Sequence, residues 1–185
     1  MPADTRRVAV VLHGPPTAGK SQVGQEIQGR YESERVELIS LDAGWAPGER
    51  RHTGGRGRYE DLRNAQAPIL ILELACGEPT DLSFRGATRG AQEWVSVLQD
   101  SGRLVFPFLL WLEWPDAVER VMNRWNGHPH LLQGVANQLG FYAFYEHLEA
   151  IVTFPQIVGF TEERIMTSGR VIPEITDDIL RRCGS

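Results

Sequence analysis

The stretch VAVVLHGPPTAGKS, residues 8–21, decides how the rest of the chain is read. Val8 to Leu12 is a short β-branched run, closed abruptly by glycine and two prolines, so it reads as a buried strand entering a loop. After the loop, Ser21 to Tyr31 carries helix formers with apolar Val23 and Ile27 four apart, a helix of about three turns. Between strand and helix, Gly14-Pro15-Pro16-Thr17-Ala18-Gly19-Lys20-Ser21 fits G-x-x-x-x-G-K-[ST] at every fixed position. Glycines at those places let the backbone curl until successive N–H groups face one anion. The helix that follows adds its positive N-terminal end.

This pattern predicts a phosphate-binding loop, with Gln22 continuing the run of backbone donors into the helix. Lys20 would reach the β- and γ-phosphates of a nucleotide, and the Ser21 hydroxyl would ligate Mg²⁺. Lys20 is also the only lysine in the chain, against 18 arginines. A compositional bias toward arginine explains the other basic positions but not this exception. A guanidinium fork is too broad for so tight a loop, whereas a compact ammonium on a flexible stem fits within it.

The bulk properties frame that loop. A chain of 185 residues with ordinary apolar and charged content is expected to form a single domain, 1–185, with a real core. A net charge of −5 argues against a surface coated in positive field, though it says nothing about one cleft. Cys76 and Cys183 are far apart and form no metal-like spacing, so neither a disulfide framework nor a zinc site is indicated. The N-terminal apolar run is too short for a signal peptide, and no segment approaches the roughly 18–20 apolar residues of a membrane span. A cytoplasmic protein without membrane contact is the expectation.

Further along, Val36 to Leu41 reads as a second strand, followed by a long Gly/Pro-rich loop and a short helix over 59–65. Pro68 opens PILILELA, a continuous apolar run of the kind buried on both faces of a parallel sheet. Residues 91–99 read as a helix, and RLVFPFLLWLEW (103–114) as a fourth strand. A helix runs from Pro115 through Arg124, WNGHPHLLQG breaks it, and Val135 to Ala150 resumes a helical pattern. Glu163 to Met166 is a last strand, and Pro173 stands near the start of a terminal helix. Strands alternating with helices imply an α/β domain with parallel pairing and helices on both faces.

G-domain proteins read guanine with an N-K-x-D motif, which a chain with no lysine outside the loop lacks, so a standard GTPase switch is not expected, and 185 residues leave no room for the helical subdomain of a ring-forming ATPase. On its phosphate loop and element order, the chain resembles the compact P-loop kinases: chloramphenicol phosphotransferase, shikimate and gluconate kinases, zeta-toxin kinases and polynucleotide kinases. The resemblance implies a three-layer domain with a five-stranded parallel sheet in the order 2-3-1-4-5. It also implies a mobile helical lid at about 120–135, an acceptor-side loop at about 43–64, and ATP with Mg²⁺ as cofactors.

Candidate catalytic carboxylates follow. Asp42 ends the second strand, where members of that group often place an Asp that orients and deprotonates an acceptor hydroxyl; a turn-capping role is the alternative. Glu73 stands inside an apolar run, where a carboxylate is costly unless paired or metal-linked. It fits a metal-binding position, although the family more often has Asp there, and acceptor binding is its other possible role. Glu78, Asp81 and Glu113 are weaker candidates.

Arg50, Arg51, Arg56 and Arg58 fall in a glycine-rich stretch directly after Asp42 that contains no acid between them, with Arg63 soon after. Arg85 and Arg89 would extend the same basic surface. Such a surface beside a phosphoryl-transfer site points to an acceptor that itself carries phosphate, a nucleotide or a nucleic acid, unless it is merely a solvated loop. Arg120 and Arg124 are four apart on one helix face; in the resembling kinases lid arginines here clamp the transferring phosphoryl group. Arg170 lies where the family lines the adenine pocket. His128 and His130 read as lid residues, and Tyr142 and Tyr145 as packing groups.

These residues together point to an ATP-dependent kinase acting on a hydroxyl, with a phosphate-bearing acceptor favoured over a neutral antibiotic or sugar. A regulatory protein that binds ATP and hydrolyses it slowly is the alternative of another class.

Overall fold

The apolar runs of the sequence become strands, and the stretches with a 3.6-residue period become helices. A computed structural model describes residues 7–40, 62–73, 98, 100–151 and 163–184. In chain order these form β1 (Val8–His13), α1 (Lys20–Gly29), β2 (Val36–Ser40), β3 (Ile69–Glu73), β4 (Leu104–Trp111), α2 (Trp114–Trp125), α3 (Leu131–Ile151), β5 (Glu163–Met166) and α4 (Ile172–Arg182). Leu62, Arg63, Asn64 and Leu98 are helical, inside the two short helices read over 59–65 and 91–99.

All five strands are parallel, in the order β2-β3-β1-β4-β5. This is the sheet that the resemblance implies. Val10 stands opposite Ile71 of β3 and Phe106 of β4, and Leu12 opposite Glu73 and Phe108. Successive side chains of a strand point to opposite faces, yet Ala9, Val10, Val11 and Leu12 are all buried, as are Leu70, Ile71 and Leu72. Both faces of the sheet are therefore covered, the condition under which parallel sheets occur. Val23 and Ile27 of α1 and Ile175 and Ile179 of α4 belong to the same core. A proline inside a strand removes one ladder donor; Pro107 is tolerated where the described pairing of β4 with β5 begins only at Phe108.

One boundary differs from the sequence expectation for an instructive reason. The run WNGHPHLLQG reads as a break that lasts to Val135, but α3 already starts at Leu131 and contains Gly134. A Cβ on Gly134 would stand 2.3 Å from Cδ2 of Trp125. That glycine is there so that the indole can lie against the helix backbone, and not to end a helix. Trp125 thereby joins α2 to α3 in a helical hairpin between β4 and β5. Tyr142, at 2% exposure, donates its hydroxyl to the Leu112 carbonyl between Trp111 and Trp114. Among the described residues no helix is long and apolar enough to cross a membrane.

Arginines hold two edges of this framework. Near the N-terminal ends of the strands, buried Arg103 donates to the carbonyls of Ala67 (2.8 Å), Ala65 (2.9 Å), Pro68 (3.2 Å) and Val8 (3.3 Å). Burial, with Arg7 nearby, pulls its pKa down to about 10, so it remains charged at neutral pH. Around α4, buried Asp178 takes Arg182 at 3.1 Å and Arg170 at 3.4 Å, and Arg182 also reaches Glu163, the first residue of β5. Arg30 at the end of α1 donates to Asp177 and to the Pro173 carbonyl, tying α1 to α4.

The Arg182 hydrogen bond, ahead of the Arg170 one, holds the Asp178 carboxyl below its ordinary value despite burial. A depressed carboxyl stabilises the fold above its unfolded pKa, and that contribution is lost as pH falls through the lower folded value. Asp178→Asn is therefore expected to lower stability near neutral pH by about 1–2 kcal/mol. In urea melts the gap to the unmutated chain should close as the pH drops below about 4. A gap that stays constant to pH 2 would contradict this account.

Candidate active site

The site forms where β1 ends. Because β1 lies at the centre of the sheet, the chain leaving it is hemmed in by β3 and β4. The connection goes to the β2 side while β4 lies on the other, which opens a crevice at the C-terminal edge of the sheet. Gly14 takes φ +141, and a Cβ there would stand 2.2 Å from the Leu110 carbonyl oxygen. No other residue passes that point. Gly19 at φ +95 makes the second turn and caps α1 without a side chain. With no side-chain cap and no acid in the first turn, the leading N–H groups of α1 are left for an anion.

Lys20 is buried at 7% exposure, and its Nζ donates to the carbonyls of Gly14 (2.9 Å) and Pro15 (3.2 Å). Its ammonium is thus already held inside the loop. Ser21 donates its hydroxyl to Oε1 of Glu73 at 2.5 Å. Glu73, the last residue of β3, is buried and stands in register with Leu12 on one side and Ser40 on the other. The loop and the carboxylate, 52 positions apart in the chain, meet because β1 and β3 are neighbours. Their oxygens form the kind of hard donor pair that Mg²⁺ prefers.

Pro15 and Pro16 have no N–H, so loop donors to an anion come from Thr17, Ala18, Gly19, Lys20, Ser21 and Gln22. Thr17 adopts φ +65, a strained region for a β-branched residue, costing about 1–3 kcal/mol. Its hydroxyl donates to the Pro16 carbonyl at 2.6 Å.

Arg120 of α2 donates to the carbonyls of Thr17 (3.3 Å) and Thr167 (3.2 Å). Arg124 is exposed and has no hydrogen-bond or ion-pair partner among the described residues. Spacing puts the two on one helix face, but only Arg120 touches the loop. Arg170 donates to Asp178 (3.4 Å) and to the carbonyls of Met166 (3.3 Å) and Glu174 (3.1 Å). Nothing in the sequence singles out Thr167; "TSGR" carries no pattern beyond a turn. It is fully buried, and its N–H and hydroxyl both donate to Trp111 O at 2.7 and 3.0 Å. His13, directly before Gly14, is also fully buried and stands opposite Leu109.

Asp42, Arg50, Arg51, Arg56, Arg58, Arg85 and Arg89 lie outside the described residues, as do Glu78 and Asp81. Arg63 is exposed on its helical turn, and Glu113 is exposed ahead of α2. His128 and His130 sit at the tip of the α2–α3 hairpin, with ring centroids 5.8 Å apart. Cys183 is a free thiol, pushed up to about 12 by burial and so unreactive at neutral pH.

The sequence matches no protein-family model and no curated protein. Solved structures do match. The chain is similar to polyphosphate kinase 2 from Arthrobacter aurescens TC1, with a TM-score of 0.61 and 13% identity over 96% of this chain and 68% of that one. It is similar to shikimate kinase from Acinetobacter baumannii (TM-score 0.55, 17% identity, 96% and 93% covered). Thymidylate kinase from Candida albicans gives a TM-score of 0.53 at 11% identity, with 97% and 92% covered. At such identities the likeness is one of fold: the chain has the architecture of the P-loop kinases.

Two glycine substitutions test the geometry. Gly14→Ala should lower stability by at least ~2 kcal/mol, since it adds both a clash with Leu110 O and a disfavoured φ. Gly29→Ala, in α1 with open space around it, should instead be neutral or stabilising by up to about 1 kcal/mol. Equal effects in chemical denaturation would contradict the packing described for Gly14.

Proposed function

We propose that this chain is a kinase that moves the γ-phosphoryl group of ATP to a hydroxyl acceptor. One observation carries the reading: the Ser21 hydroxyl bonds Glu73 at the mouth of a glycine-turned loop that holds the Lys20 ammonium. In the proposed roles, the amides of residues 17–22 and Lys20 bind the β- and γ-phosphates. Ser21 and Glu73 would hold Mg²⁺, which supplies charge neutralisation on the phosphate oxygens. The architecture shared with kinases of differing acceptors supports the reaction class more than any one acceptor.

An attacking hydroxyl must lose its proton, and Asp42 is assigned that task; Ser40, two residues before it, is the register partner of Glu73. Arg124, exposed and uncommitted among the described residues, is assigned to the transferring group together with Arg120. Arg170 would line the base pocket, its guanidinium fixed by Asp178. The acceptor is inferred to carry phosphate, as a nucleotide, a polynucleotide or a hydroxylated base in DNA. That inference rests on Arg50, Arg51, Arg56, Arg58, Arg85 and Arg89 in the sequence. The absence of a cysteine framework in the sequence fits a reducing, cytoplasmic setting.

A transfer screen with γ-labelled ATP tests this, using nucleotides, oligonucleotides with free hydroxyl ends, sugars and neutral hydroxyl-bearing antibiotics as acceptors. Lys20→Ala should cut transfer by ~10²–10³-fold, and Lys20→Arg nearly as much. Asp42→Asn should cost ~10²–10⁴-fold; retained transfer there would move the base role to Glu73. A polynucleotide acceptor should show apparent KM rising steeply between 50 and 200 mM salt, on the order of ten- to a thousandfold. A salt-independent KM would select the neutral small molecule. ATP consumption with no labelled acceptor would sink the kinase reading in favour of a regulatory ATPase.

A further inference from the structure

We propose that Arg120 is a positioning residue: it holds Thr17, and through it the phosphate-binding loop, in the conformation that binding needs before any nucleotide arrives. The inference rests on the proposed reading of that loop and adds to it.

Thr17 is the only non-glycine residue with positive φ among the described residues. A side chain branched at Cβ resists this region more than most, so something must hold it there. The peptide joining Thr17 to Ala18 is a rigid plane, with its C=O and N–H at opposite ends. The Thr17 carbonyl accepts from Arg120 at 3.3 Å, while the Ala18 N–H points back across the loop toward the Pro15 carbonyl at 3.4 Å. Fixing the first end therefore fixes the direction of the second, whose long bond to Pro15 a phosphate oxygen would replace. With Pro15 and Pro16 unable to donate, the loop has no spare amide to replace it.

Arg120 can do this because it is itself anchored. Its second nitrogen donates to the Thr167 carbonyl, and Thr167 is bonded through its N–H and its hydroxyl to Trp111 at the end of β4. A rigid chain of contacts thus runs from the sheet through Thr167 and Arg120 to the strained residue. Two carbonyls in two directions call for a planar fork, which a lysine does not provide. Of the two lid arginines, Arg120 thus shapes the loop in addition to the role proposed for it above, whereas Arg124, among the described residues, makes no hydrogen bond to the loop.

The test is equilibrium binding of ADP and of inorganic pyrophosphate, without acceptor, to the full chain. R120A should weaken both by about tenfold. R120K, which keeps the charge, should be as weak as R120A. In a T17G background, where positive φ carries no penalty, the further effect of R120A should shrink to under about threefold. In the free chain, amide exchange across residues 17–20 should rise in R120A and rise less when T17G is also present. Binding restored by R120K, or an R120A penalty undiminished by T17G, would overturn the proposal. If the unmutated chain bound neither ligand, the phosphate-loop reading would fail, and the amide exchange would still decide for or against Arg120 holding Thr17.

Discussion

The carbonyl oxygen of Leu110 dictates how the chain leaves β1. At 2.2 Å from where a Cβ would lie, it admits only glycine at position 14, and only at a φ that turns the backbone sharply away from the sheet. Everything in the site follows from that exit. The chain cannot run on beside β4, so it curls over the edge of the sheet. It must then recover a helical path within a few residues, which Gly19 allows at φ +95. The helix begins uncapped, and the donors that a capping side chain would otherwise take are left for a ligand.

Such a loop is not self-supporting. Lys20 bonds two loop carbonyls from within, and Thr17 sits in a region that its branched side chain disfavours. Support arrives from outside, through Arg120 to the turn after β5 and through Ser21 to Glu73 at the end of β3. The opposite end of the sheet shows what arginine does when it is only structural. Arg103 is buried against four main-chain carbonyls near the strand starts. At the other edge, Arg124 is exposed with no partner among the described residues. The same residue type serves as a staple at one edge and remains available for an anion at the other.

Much of this was legible beforehand, for reasons that differ from feature to feature. The strands could be read because a parallel strand buried on both faces must be apolar throughout, as Ile69 to Leu72 is. The loop could be read because its backbone turns demand glycines at particular offsets, and one compact cation completes it. The strand order came from resemblance to a family and not from the residues, which carry no record of which strand lies beside which. Gly134 misled because a glycine in a helical stretch usually ends it; here its purpose lies across the hairpin, in the ring of Trp125. Asp42 and the arginines at 50–58, 85 and 89 fall outside the described residues, so their roles rest on sequence.

By itself the sequence determined the element types and the glycine-turned loop between β1 and α1, with the identity of its lysine, hydroxyl and glycines, because each is a local demand of backbone geometry met by neighbouring residues. The tertiary structure alone decided that Ser21 meets Glu73, that Leu110 forbids a side chain at Gly14, and that Arg120 and not Arg124 grips the loop through Thr17. Those contacts join residues 52, 96 and 103 positions apart. Helical spacing places two arginines on one face, but which of them finds a carbonyl depends on how the helix lies over the sheet, and no local pattern encodes that.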